Sequence, residues 1–137
     1  MKLKMNKYFP AILIATLLFT IIFIGCEDSL TGPEIDKIII PDKNVSYSKY
    51  IQPLLTIKCS TSDCHNNSAM AGGYSVDNYS TVIMPGIVNP GNVETSILVW
   101  RIKGQSGELM PPPLIGHLTK NQIDGITTWI KEDAENN

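Results

Sequence analysis

The sequence is short of charge, of aromatic residues and of histidine. Only 18% of its 137 residues are charged, 7% are aromatic, and there are two histidines. It shows no repeat and no low-complexity segment. No nucleophile, acid and base combine into a catalytic constellation; Asp63 and His65 are neighbours in sequence, which does not make a dyad. Basic residues thin out further along the chain. Lys2, Lys4 and Lys7 stand in the first seven residues and no acid precedes Glu27. Beyond Cys26, therefore, eight basic residues face all 13 acidic ones, and the formal charge falls from −2 to about −5. Nucleic-acid binding needs a basic face to meet phosphates, so this balance argues against it. A net negative body is compatible with steering toward basic protein partners, none of which the charge identifies.

The basic start has its own meaning. Met1–Lys7 is followed by an uncharged apolar run, Tyr8–Gly25, closed by Gly25-Cys26 and then Glu27-Asp28. That is the layout of a secretory signal, and Phe23-Ile24-Gly25-Cys26 resembles a lipobox, with Phe23 where leucine is usual. The expectation is a lipoprotein-type signal peptide over 1–25, lipidation of Cys26, and a tether over 26–44. An uncleaved anchor is the alternative, since about 18 apolar residues just span a bilayer. Either way the rest of the chain is exported and membrane-anchored, at the periplasmic or outer-membrane face of a bacterium. In the tether, Thr31-Gly32-Pro33 and Pro41-Asp42 break regular structure. Ile38-Ile39-Ile40 is expected to pack on the surface of the domain.

If Cys26 carries lipid, the remaining cysteines form a pair inside Cys59-Ser60-Thr61-Ser62-Asp63-Cys64-His65. Two cysteines followed at once by histidine point to covalent haem c. Thioethers form at Cys59 and Cys64, and His65 stands beneath the iron as its proximal ligand. The usual attachment signature has two residues between the cysteines and this one has four; a wider loop still brings both sulfurs to one porphyrin edge. Export permits a Cys59–Cys64 disulfide equally well. A zinc site would draw on His65 and His117 as well.

Periodicity places the elements around this motif. Tyr47, Tyr50, Ile51, Leu54, Leu55 and Lys58 form one face of a helix over Ser46–Lys58, with Ser46 as N-cap and Pro53 as a disturbance. The helix delivers Cys59 from its end. Ala71-Gly72-Gly73 gives a tight turn where backbone approaches a flat ligand. Asp77 is expected to cap a short turn through Tyr79 and Val82. Glu94–Lys103 reads as a further helix, with Trp100 and Arg101 as candidates for a haem propionate. Thr119–Glu135 is the clearest helix, opened by a Thr119/Gln122 capping box. Its apolar face is Ile123, Ile126, Trp129 and Ile130, and Trp129 is expected to pack on the first helix.

The loop between the last two helices holds Met110-Pro111-Pro112-Pro113. Three prolines hold a strip extended and stiff, so the Met110 thioether is presented at a fixed place. That suits the sixth ligand of a haem iron, and thioether ligation raises the reduction potential. Met84 and His117 compete for the role; Met70 lies too near His65 in sequence to reach the far face.

Taken in order, the segment Tyr-Ser-Lys-Tyr-Ile-Gln-Pro-Leu-Leu, the Cys59–His65 stretch, Gly72-Gly73-Tyr74, Val88-Asn89-Pro90-Gly91, Ser96-Ile97-Leu98, Met110-Pro111 and Thr119–Ile130 resemble the class I-type single-haem cytochrome c domains of exported bacterial proteins. The resemblance covers roughly 45–137. It implies an all-α fold of three to four helices wrapped around one covalent haem, with the first and last helices meeting beside it. It further implies attachment at Cys59 and Cys64, axial ligands His65 and Met110, and one-electron transfer to redox partner proteins rather than catalysis. Two other classes stay open. One is a haem enzyme, or a gas or redox sensor, with an open iron site. The other is an exported binding lipoprotein with zinc or a disulfide at the cysteine pair.

Overall fold

The structure is a computed structural model and describes residues 30–137. The stretch read as a signal peptide, 1–25, and Cys26 lie outside the described residues. Five α-helices are present among those described, and no strand: α1 Gly32–Ile35, α2 Gln52–Lys58, α3 Tyr79–Val82, α4 Ile97–Ile102 and α5 Lys120–Lys131. The all-α expectation holds; α1 is the helix that periodicity did not show.

α2 is preceded by a π-helical turn, Tyr47–Ile51, and the reason is Pro53. Proline lacks the N–H that would bond the carbonyl of Lys49, and its ring crowds that carbonyl. The widened turn, with Gln52 N–H donating to Tyr47 O five residues back, passes into an α-helix that carries Pro53 in its first turn, where proline is tolerated. Ser46 caps the π turn by accepting from Lys49 N–H at 3.3 Å, as expected. α2 ends where Cys59 N–H donates to Leu55 O at 2.8 Å.

α5 begins at its capping box, with Thr119 Oγ1 accepting from Gln122 N–H and Gln122 Oε1 accepting from Thr119 N–H. It stops at Lys131, four residues short of the expected Glu135. Asp133 adopts a left-handed conformation (φ 65°), and Ala134 N–H returns to Trp129 O at 2.9 Å, a Schellman closure. α4 also starts later than expected, at Ile97 rather than Glu94. Buried Ser96 donates its hydroxyl to Asn92 O and accepts from Asn89 N–H, folding 89–96 into a turn. The N–H groups of Ile97 and Leu98 then find the carbonyls of Gly86 and Ile87.

The core gathers Ile51, Leu54 and Leu55 from the first helix, Leu98, Val99 and Ile102 from α4, and Ile126, Trp129 and Ile130 from α5. Tyr47 packs on Trp129 with ring centroids 5.2 Å apart, so the first and last helices meet as expected. Ile123 is only half-buried, and Gln122, on the same helix, is buried instead.

The stretch read as tether is partly folded. Thr31-Gly32-Pro33 does not break structure: it starts α1, whose own capping box joins Thr31 and Glu34, with proline in the first turn. Ile40 is not a surface residue but a core residue, 4% exposed. It fits because Gly125 leaves a notch in α5; a Cβ there would lie 2.6 Å from Ile40 Cγ2. Asn121 grips Ile40 on both sides, accepting from its N–H at 2.8 Å and donating to its carbonyl at 2.9 Å. The packed body therefore reaches further toward the amino terminus than residue 45. No helix among the described residues is long and apolar enough to cross a membrane.

Candidate functional site

The end of α2 delivers Cys59 into a loop held by backbone hydrogen bonds. Cys64 N–H donates to Thr61 O, His65 N–H to Cys59 O, Ala71 N–H to Cys64 O, and Val76 N–H to His65 O at 2.7 Å. The four intervening residues bulge through Asp63, which takes a left-handed φ of 65°, a conformation that aspartate tolerates better than most. Asn66 closes the bulge by donating to Thr61 O at 2.8 Å and accepting from the Ser68 and Ala69 N–H groups.

Asp77 braces this loop from outside, which is a correction to its expected role. It does not cap α3, whose N-cap is Asn78 with no side-chain bond. Its carboxylate accepts from Ser60 Oγ on one side of the cysteine pair and from Asn67 N–H, at 2.7 Å, on the other. The Ser60 bond, then the Asn67 and Ser75 bonds, hold the Asp77 carboxyl below its usual value against slight desolvation. Its partners lie 10 and 17 residues away, a distance at which no local pattern signals a contact.

The loop faces a cavity of about 730 Å³, within the range of about 300–1,000 Å³ typical of ligand and cofactor sites. Cys59, Cys64, His65 and Met110 all line it. Met110 arrives from the loop after α4, and its position is set by that helix: Met110 N–H donates to Arg101 O at 3.0 Å. Much of the remaining wall is apolar, including Ile87, Ile97, Ile115, Pro111 and Pro112. Ala71 and Gly72 bring backbone to it, as the Ala71-Gly72-Gly73 turn predicted, with Gly72 at φ 70°. The proline strip is not extended throughout; Ile115 N–H donates to Pro112 O and Gly116 N–H to Pro113 O, so it turns after Met110. Met84, Met70 and His117 are exposed and do not line the cavity.

Of the two propionate candidates, Arg101 lines the cavity and Trp100 does not. Trp100 Nε1 is committed to Glu94 O at 2.9 Å, a contact that holds the turn before α4. The Arg101 guanidinium lies against Gly107, at φ 68°, where any Cβ would overlap it.

Tyr74 is a wall residue that periodicity did not single out. Its ring stacks on His65, with centroids 4.3 Å apart and planes 21° from parallel. Its hydroxyl lies 3.4 Å from His65 Nε2, a weak contact, while His65 Nδ1 is buried with no hydrogen-bond partner. Neither ring nitrogen is committed to a strong protein contact, which is costly for a buried imidazole. Burial first, then the nearby Cys64, pushes the Cys59 thiol up to about 12, with Lys58 pulling the other way. Cys59 and Cys64 are not joined. No group of three or more His, Cys, Asp or Glu side chains among the described residues is arranged to hold a metal ion.

Residues 62–113 match the family model described as Planctomycete cytochrome C. The matched segment runs from inside the cysteine loop through Met110, so it spans most of the cavity wall. No curated protein and no solved structure matches the chain. The fold is cytochrome c-like, and a cytochrome c-like domain implies covalently bound haem c with its iron. The site fits that group: two thiols, an imidazole without a committed partner and a thioether share one largely apolar cavity of suitable volume.

Proposed function

We propose that this chain is a membrane-tethered carrier of single electrons, exported from the cytoplasm and held by lipid on Cys26. The observation that supports it most is the convergence of Cys59, Cys64, His65 and Met110, from two separate segments, on one cavity. The haem supplies a one-electron ferric–ferrous couple. Cys59 and Cys64 anchor it by thioethers. His65, with its backbone bonded to Cys59 and Val76, would hold the iron through its imidazole, and Met110, tied to the end of α4, would hold it through its thioether. Arg101 meets a propionate. The apolar wall would keep water from the haem, and iron held by both side chains would exchange electrons without binding a substrate. The redox partners are proteins, which the negative body favours as basic surfaces.

The test is an alkaline pyridine haemochrome spectrum of the chain expressed with cytochrome c maturation proteins, read beside a denaturing gel stained for haem. A c-type spectrum with haem migrating on the denatured chain, lost in Cys64→Ala, is expected. A colourless product would overturn the reading in favour of a haem-free binding protein. In the oxidised protein, the weak far-red band of iron–thioether coordination should vanish in Met110→Ala and persist in Met84→Ala. If wild type lacks that band and its spectrum is unchanged in His117→Ala, the open-site enzyme or sensor takes precedence. Incorporation of labelled fatty acid into the chain should be lost in Cys26→Ser.

A further inference from the structure

Lys58 is the last residue of α2, one position before Cys59, and it lines the same cavity. It is 6% exposed, which is unusual for lysine. Its ammonium is paired with Asp36, just past α1, at 2.9 Å. Asp36 also accepts from Gln122 Nε2 at 3.0 Å, and the same nitrogen reaches Ile35 O at 3.2 Å. The pair thus joins the amino-terminal segment, the cavity wall and the first turn of α5 in one hydrogen-bonded network.

The two partners are not equivalent. The Asp36 side chain is 39% exposed against 6% for Lys58. Water screens the anion, while the cation acts on the cavity through a less polar medium. The site therefore feels a net positive field, trimmed by the carboxylate.

We infer that Lys58 and Asp36 are positioning residues that set the reduction potential of the haem, with Lys58 raising it and Asp36 moderating that effect from the amino-terminal segment. This rests on the haem reading above. Oxidation adds one positive charge at the iron, and the buried ammonium of a side chain that lines the cavity opposes that gain. Reduction adds one electron, taken from mediator dyes at an electrode, with no bond made or broken and no proton moved. The sign of each variant follows. Lys58→Met removes the cation and leaves a half-solvated anion, so the potential falls. Asp36→Asn leaves the cation unmoderated, so the potential rises. The double variant lies between them.

The experiment is spectroelectrochemical titration of the full haem-loaded chain and these three variants, with haemochrome spectra and thermal melts on the same samples. Opposite shifts from the two single variants, with the double between, are expected. Loosened packing would move both in one direction, because exposing a haem to water favours its charged oxidised form; shifts of the same sign, or none, overturn the inference. Should Lys58→Met not accumulate, Lys58→Gln replaces it, and an Asp36→Asn potential at or below wild type is by itself decisive against. A wild-type chain without covalent haem overturns the parent reading and this inference together, whereas same-sign shifts in loaded variants overturn this one alone.

Discussion

Asp77 spends both carboxylate oxygens on the loop that carries the cysteines, and its effect should depend on pH. Its carboxyl titrates below its ordinary value in the folded chain. Its stabilising contribution is therefore complete above the unfolded value of about 3.9 and is lost as pH falls through the lowered folded value. Asp77→Asn should cost about 1–2 kcal/mol near neutrality, the worth of charge-assisted bonds at a half-exposed site. The gap to wild type in urea midpoint should narrow as pH drops from about 5 toward 2; a constant gap would contradict the role. Tyr47 points the other way. Its ring is buried between Tyr79 and Trp129, yet its hydroxyl has no partner, and burial pushes its phenol up to about 12. Tyr47→Phe keeps the ring contacts and removes an unsatisfied polar atom, so the protein should gain about 1 kcal/mol in chemical denaturation. Gly107→Ala should act through Arg101. The new Cβ evicts the guanidinium, so the variant should shift the haem potential in the same direction as Arg101→Gln, a parallel that strain in the loop alone would not produce.

At the level of elements, α5 and the segment before α2 depend on one another through Gly125. Gly125→Ala puts a methyl into Ile40, and overpacking of that kind costs about 1–3 kcal/mol, readable as a lower urea midpoint. Combining it with Ile40→Ala should recover part of the loss. This contact also marks the limit of what the sequence makes legible. The Thr119/Gln122 capping box, the Ser46 cap, the disturbance at Pro53 and the cysteine–histidine motif are written within a few neighbouring residues, and each sits where its local chemistry puts it. The three prolines drew attention to Met110, which does line the cavity, although the bond to Arg101 rather than an extended strip sets its position. The Ile40–Gly125 notch, the Asp36–Lys58 pair and the Asp77 brace join residues from 10 to 85 positions apart, and the residue types involved look ordinary at each end. For the same reason the amino-terminal stretch looked like a tether. Its glycine and prolines are breakers in isolation, and only the partners on α2 and α5 make it part of the body.

The described body divides into helices that pack on one another and loops that wall the cavity. Helices α2, α4 and α5 close one continuous core. The cavity wall is made largely of loops, 59–77 and 104–116, which contain Gly72, Gly73, Gly104, Gly107 and Gly116 at positive φ, and Asp63 and Met70 as well. Such loops lose much conformational entropy on ordering and bury little apolar surface of their own. A body of about 100 residues has little surplus stability with which to hold them. Two thioethers and an apolar macrocycle supply what is missing, as cross-links and metals do in other small domains. In the full chain carrying both Cys59→Ala and Cys64→Ala, the loss should be about 3 kcal/mol, the scale of a native cross-link, which lowers Tm by roughly 15 °C at this size. Hydrogen exchange should show where the loss falls. Amides of α2 and α5 should keep measurable protection, while those of His65, Ala71, Val76 and Met110, whose N–H bonds hold the cavity wall, should exchange freely. Uniform loss across the chain would mean that the helical core also needs the haem, and unchanged protection at those four amides would mean that the wall stands without it.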